Sequence, residues 1–320
     1  MKPASLLALS VGLISNYAFA IVNGNEVNWQ NDFDDVVFNN CTGLIIGGDK
    51  ILTAAHCDTD VYVKFADNST TSAKSREDHP NYVSGNNYDV SVWTLPKKAE
   101  TQNIHFLANI NNQSVQIGDS LRAFGFGGDN PLAYASLNAT NLATTSKTLI
   151  DASMVSGSTT GGDSGGMWLD INDNVVGIHK GSAVDKSSAT DLYYAKDFLL
   201  EQINGWHYPT IFKGTGSQTI KVQSLHLNPT ADSAYVDGDV TITGGTCYGN
   251  NTINAFDTCT YELEINGTGT LHLSGSESVS INPKTTPPPS NGGSGGGGGS
   301  MGWLSILALA VFGRFRFHKA

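Results

Sequence analysis

Ser164 lies in GSTTGGDSGGMW (157–168), where five glycines are gathered around the pair Asp163-Ser164. A serine hydroxyl is a weak nucleophile until a base takes its proton, and that base needs a third group to fix its tautomer. Those partners have to come from elsewhere in the chain. Upstream, GLIIGGDKILTAAHC (43–57) sets His56 directly beside Cys57. A bridge from Cys57 to Cys41 would pin the histidine backbone against the preceding strand, where a base should sit. The third member is best sought as an aspartate heading an apolar strand, since burial there keeps its charge desolvated and its hydrogen bond strong. NNYDVSVWTL (86–95) offers Asp89; Asp58, Asp60 and Asp78 also lie between base and nucleophile, but only Asp89 precedes a buried strand. Together the three side chains would activate an alcohol for attack on a carbonyl carbon.

The elements that must position them read as all-β. Between Ile21 and about Trp206 the chain carries strand-like pieces, DVVFNN, GLIIGG, VYVKF, DVSVWTL and NVVGIH, punctuated by Gly, Asn and Asp. One helix is expected in ATDLYYAKDFLLEQING (189–205), with Phe198, Leu199, Gln202 and Ile203 at helical spacing and Gly205 as its C-cap. From Lys213 to about residue 283 the pattern alternates with period two, and Tyr261, Leu263 and Ile265 face one way while Glu262 and Glu264 face the other. This predicts a small, immunoglobulin-like β-sandwich. The four cysteines divide two and two between the regions, and an exported protein favours oxidation over metal binding, so Cys41–Cys57 and Cys247–Cys259 are expected as disulfides.

The 320 residues suffice for two domains, and 39% hydrophobic content is ordinary for a chain that buries a core. A formal net charge of −11, with no basic surface that advertises itself for nucleic acid, excludes that partner class. No metal site and no cofactor are expected, since no carboxylate loop suited to calcium stands out. MKPASLLALSVGLISNYAFA (1–20) has a lone Lys2, an apolar run and the small-x-small ending Ala18-Phe19-Ala20 of a cleaved signal peptide, so the mature chain is expected to begin at Ile21. At the other end, residues 284–300 form a Pro/Gly/Ser linker. MGWLSILALAVFG (301–313) is shorter than the roughly 20 residues of an ordinary spanning helix, and it is followed by the basic RFRFHKA. The tripartite tail resembles the GlyGly-CTERM sorting signal. That resemblance implies transient membrane contact, cleavage by a rhomboid-type sorting protease, and type II secretion through the periplasm to the medium or outer surface of a Gram-negative bacterium.

In order along the chain, IVNG (21–24), TAAHC (53–57), HPNY (79–82), Asp89 before its apolar strand and GDSGG (162–166) resemble the chymotrypsin/trypsin-like serine protease family over residues 21 to about 206. The resemblance implies a two-β-barrel protease domain closed by a C-terminal helix and acting on protein or peptide substrates. His56 becomes general base, Asp89 its orienter and Ser164 the nucleophile, with the amides of Gly162 and Ser164 as oxyanion hole. It also implies that the ammonium freed at Ile21 inserts to pair with Asp163. Most relatives carry a propeptide; here activation and export would be one event.

The residue six before the nucleophile sets the family's primary pocket. It is Ser158, so the carboxylate that selects Lys or Arg is missing and cleavage after basic residues is disfavoured. The cysteine that usually precedes the Gly-Asp-Ser is absent too. STTGG (158–162) and VVGIHKGS (175–182) resemble bacterial glutamyl endopeptidases, which implies that His179 with Thr159, aided by Ser158, binds a P1 carboxylate through charge-assisted donors. That branch lacks an aspartate at the position of Asp163, so the chain is a hybrid. The alternatives are an apolar P1 pocket built on Ser158 and an open Gly181, or a non-catalytic protease-fold binding protein.

Overall fold

The computed structural model describes residues 21–58, 62–84, 87–127 and 131–284. The expected signal peptide (1–20), most of the linker and the sorting tail lie outside the described residues, as does Asp60. The described residues through Pro283 form one compact unit. The described part is built on three sheets and very little helix.

The first sheet orders seven strands as Thr70–Thr71, Val63–Lys64, Val36–Phe38, Thr42–Ile46, Lys50–Thr53, Ser91–Thr94 and Ser75–Asp78. Every residue of Thr42–Ile46 is buried, which is why TGLII reads as a continuous apolar run rather than an alternation. A tight hairpin, with Gly47 and Gly48 at φ 60° and 84°, returns it into Lys50–Thr53; side-chain-bearing residues seldom adopt that backbone. The second sheet runs Asn25–Glu26, Ala133–Asn141, Leu149–Ser156, Lys186–Asp191, Val175–Ala183, Met167–Leu169 and Ser120–Gly125. It closes on itself because Ser120–Gly125 also pairs with Ala133–Asn141. These are the two curled β-barrel sheets of a chymotrypsin-like fold, and one apolar core joins them, including Leu44, Ile51 and Trp93 from the first and Phe124, Trp168 and Ile178 from the second.

The helix is shorter than the sequence implied. Lys186–Asp191 is strand, paired with 149–153. The Asp191 carboxylate then accepts from the Tyr193 amide (3.0 Å) to start a 3₁₀ turn, and the α-helix proper spans Lys196–Ile203. Its cap is Asn204, left-handed at φ 39°, ψ 58°, not Gly205. Gly205 is needed for a different reason, because a Cβ there would strike the Glu277 carboxylate, which accepts the Trp206 amide at 2.6 Å. A four-residue helix, Trp29–Asp32, was not foreseen.

The third sheet begins at Gly205–His207, ahead of Lys213, and continues through Ile211–Phe212, Gly216–Leu225, Tyr235–Gly244, Thr258–His272 and Ser278–Ile281. Thr258–His272 pairs with Tyr235–Gly244 on one edge and, on the other, first with Gly216–Leu225 and then with Ser278–Ile281. Tyr261, Leu263 and Ile265 face a separate core with Trp206 and Tyr208, as their alternation required. Both expected disulfides are formed, Cys41–Cys57 and Cys247–Cys259. Polar side chains fasten this sheet to the barrels. Buried Gln223 accepts from the Leu107 amide (3.0 Å) and donates to the Leu107 and Phe256 carbonyls (2.7 and 3.1 Å). His207 accepts from the Gly47 amide at 3.3 Å.

Candidate active site

Strand register brings His56 and Asp89 together. Thr53 pairs with Ser91 on adjacent antiparallel strands, so the residues just past one and just before the other emerge at the same end of the sheet. The Asp89 carboxylate, 2% exposed, accepts from the His56 amide (Oδ1, 2.9 Å) and meets His56 Nδ1 (Oδ2, 2.7 Å). Nε2 of the same ring lies 2.8 Å from Ser164 Oγ. Two ring nitrogens thus link a buried carboxylate to a solvent-accessible hydroxyl. The Cys41–Cys57 bridge holds the histidine turn. Arg76, from the Ser75–Asp78 strand, donates to the carbonyls of Cys57 (2.6 Å) and Ala55 on either side of it.

The nucleophile loop is clamped to the first barrel through Thr42. Its amide donates to the Ser164 carbonyl (2.7 Å), its hydroxyl donates to the Gly162 carbonyl (3.0 Å), and its carbonyl accepts from Thr53 Oγ1 (2.8 Å). Gly165, at φ 80°, passes so close that a Cβ would overlap the Thr42 carbonyl and the Thr53 hydroxyl. Gly162 is at φ 98°. The amides of Asp163, Gly165 and Gly166 donate to the carbonyls of Thr160, His179 and Asp163. Among the described residues no protein acceptor pairs with the amides of Gly162 and Ser164, the two donors that flank the serine.

Asp163 is fully buried against Gly125. Its oxygens accept from the amides of Gly127 (2.8 Å) and Thr160 (2.6 Å). Burial pushes its pKa up to about 6 despite those two donors. Ile21 is fully buried, and Val22 exchanges both backbone hydrogen bonds with Ser158 at 2.8 Å, which lays the strand entering from Ile21 against the 157–163 loop.

His179 is also fully buried, and burial above all, with His56 adding to it, lowers its pKa to about 3. Its Nδ1 accepts from Trp168 Nε1 (3.2 Å) and its Nε2 lies 3.5 Å from Ser182 Oγ. Thr159 Oγ1 is 2.5 Å from Ser182 Oγ and also contacts Ser187 Oγ. Ser158 is exposed, and a Cβ at Gly181 would meet nothing within 4 Å. Trp168, Ser182, Ser187, Arg76 and Thr42 escaped the sequence reading. The two serines had a signal: a turn at Val184–Asp185 puts Ser182 opposite Ser187. The sulfurs of Cys41 and Cys57 lie near His56, but the disulfide consumes both, leaving no thiolate for a metal.

The trypsin family model matches residues 21–199. The chain belongs to the trypsin family. It is accordingly a serine endopeptidase, a hydrolase of peptide bonds. Among solved structures, this trypsin-family chain is similar to the VesB protease of Vibrio cholerae at 18% identity, covering 82% of this chain and 99% of that one, with a TM-score of 0.47. The secreted serine protease VesC from the same organism gives 14% identity, 81% and 70% coverage, and a TM-score of 0.46. A mutant of human heparin binding protein gives 16% identity, 57% and 97% coverage, and a TM-score of 0.50. No curated protein matches the sequence.

Proposed function

We propose that this serine endopeptidase is exported and cleaves after glutamate. Ser164 Oγ attacks the scissile carbonyl carbon while His56 Nε2 takes its proton, and Asp89 holds the imidazolium that forms. The carbonyl oxygen, now anionic, is received by the amides of Gly162 and Ser164. On collapse the C–N bond breaks, His56 returns the proton to the leaving amine, and water repeats the sequence on the acyl-enzyme. The P1 carboxylate is bound by His179 Nε2 with the hydroxyls of Thr159 and Ser182, aided by Ser158.

The observation that carries the glutamate reading is the imidazole edge aimed at Ser182, beside the hydroxyl cluster of Thr159 and Ser187; in sequence, position 158 is a serine and not a carboxylate. P1 profiling with a peptide library tests it: Glu should lead in the wild type and lose its lead in His179→Ala. An unchanged preference in that variant overturns the reading. A second reading, an apolar P1, draws on the open space at Gly181.

Cleavage after Ala20 would give Ile21 a free ammonium, and its pairing with Asp163 would tie activation to export. A buried carboxylate that favours its neutral form gains most from such a cation. The expected type II secretion, the rhomboid-type processing of the tail and the passage through the periplasm fit this order of events. Among the described residues no helix is long and apolar enough to cross a membrane.

A further inference from the structure

We propose that Trp168 is a positioning residue for substrate selection: its indole N–H holds His179 as the tautomer protonated on Nε2, so that the pocket offers a P1 glutamate a neutral donor and not a cation. This rests on the glutamate reading above. The two side chains come from adjacent strands, Met167–Leu169 and Val175–Ala183, both are fully buried, and their rings stack at 28° with centroids 6.1 Å apart. An indole N–H can only donate. At 3.2 Å from Trp168 Nε1, His179 Nδ1 must therefore be the acceptor, and a neutral ring then carries its hydrogen on Nε2. That nitrogen is the one directed at Ser182 Oγ. A doubly protonated ring would set N–H against N–H across the same 3.2 Å contact, so the indole also opposes the imidazolium.

The surroundings agree. Trp168 from one neighbouring strand, Thr159 from the nucleophile loop, and Ser182 and Ser187 from the hairpin are all uncharged. Among the described residues the ionisable group acting on His179 across space is His56, which disfavours a second positive charge; Lys180 follows His179 in its own strand. Glutamate selection should then be independent of pH across the range where an ordinary imidazole titrates, near 6.5. A pocket that used a cationic histidine would lose its preference as the pH rose through that range.

Two measurements test this on the mature protein. The first is the ratio of kcat/KM for matched peptides with Glu or Gln at P1, between about pH 6 and pH 9, in wild type and Trp168→Phe. The wild-type ratio should stay flat. In W168F, where no donor holds Nδ1 as the acceptor, the buried neutral ring is free to carry its hydrogen on Nδ1 instead, and the ratio should fall roughly tenfold at every pH in that range, the worth of a lost hydrogen bond to a charged group. A W168F ratio as high and as flat as wild type overturns the proposal. The second is the ¹⁵N spectrum of the histidine rings in Ser164→Ala, which needs no change at Trp168. It should show His179 protonated on Nε2 alone, and a proton on Nδ1 overturns the assignment even if W168F fails to fold. Failure of the underlying reading looks different: the wild type then shows no preference for Glu, and His179→Ala changes nothing.

Discussion

Asp163 and His179 are both fully buried beside Ser164, and burial drives each toward its neutral form, yet it moves their pKa values in opposite directions, up to about 6 and down to about 3. The difference lies in what satisfies them. His179 is complete as a neutral group, with Trp168 on one nitrogen and the hydroxyl cluster beyond the other. Asp163 is held by two backbone amides that favour its charge but do not outweigh desolvation. One site is finished by the fold, and the other improves when a cation arrives. Under the proposed function the two do different work, the first reading a substrate and the second registering that the chain has been cut.

The largest expected effect breaks the Asp163 side. Adding one residue before Ile21, or substituting Asp163→Asn, should leave a folded protein whose kcat/KM is about 100- to 1000-fold lower, since losing one partner of a buried pair removes about 3–5 kcal/mol. Full activity in the extended variant would sever Asp163 from activation. Next comes His179→Ala, for which kcat/KM on Glu peptides should fall about 10- to 100-fold, the worth of a hydrogen bond to a charged group, while Gln peptides lose little.

The two groups also differ in how they couple stability to pH. The folded-state pKa of Asp163 lies above the ordinary value of 3.8, so in a protein still joined at Ala20–Ile21 its contribution is full below about pH 4 and is lost as pH rises through about 6. A gap of about two between the folded and unfolded pKa values corresponds to about 3 kcal/mol. For His179 the sign reverses: the neutral ring contributes above about pH 6.5, and that contribution is lost as pH falls toward 3. Urea midpoints for Ser164→Ala, compared between the uncut form and the form cut after Ala20, should differ more at pH 7.5 than at pH 5. Equal differences would remove Asp163 as their source. The smallest effect is expected at Arg76→Met. Without the guanidinium bracing Ala55 and Cys57, kcat should fall a few-fold with KM unchanged, the loss of orientation expected when a catalytic base is less firmly held.

The triad candidates were legible because each sits at a strand end beside a local marker: a cysteine for His56, an apolar strand for Asp89, glycines for Ser164. Sequence spacing alone does not reveal that Thr53 pairs with Ser91, although that register is what brings the first two together. Trp168 was invisible for another reason. A tryptophan after GG reads as core filler, and it is core, but its single polar atom is also the one that orients His179. Arg76 sits in SRED, which looks like a solvated edge. The expected helix over 189–205 is too long at its start because its helical spacing lies at Phe198, Leu199, Gln202 and Ile203 alone, while the pairing of Lys186–Asp191 with its neighbour strand and the Asp191 cap delay the start. The alternation in TYELEING carried the third sheet correctly; the buried Gln223 that fastens it to the barrels reads in sequence as one more polar strand position.

The central claim is that a neutral imidazole beside Ser182, Thr159 and Ser187 selects a carboxylate next to a serine nucleophile. Its most direct test is kcat/KM of the mature enzyme on peptides differing only at P1, Glu against Gln and Leu. Glu should exceed both by at least about tenfold. Leu hydrolysed as fast as Glu, or faster, would contradict it.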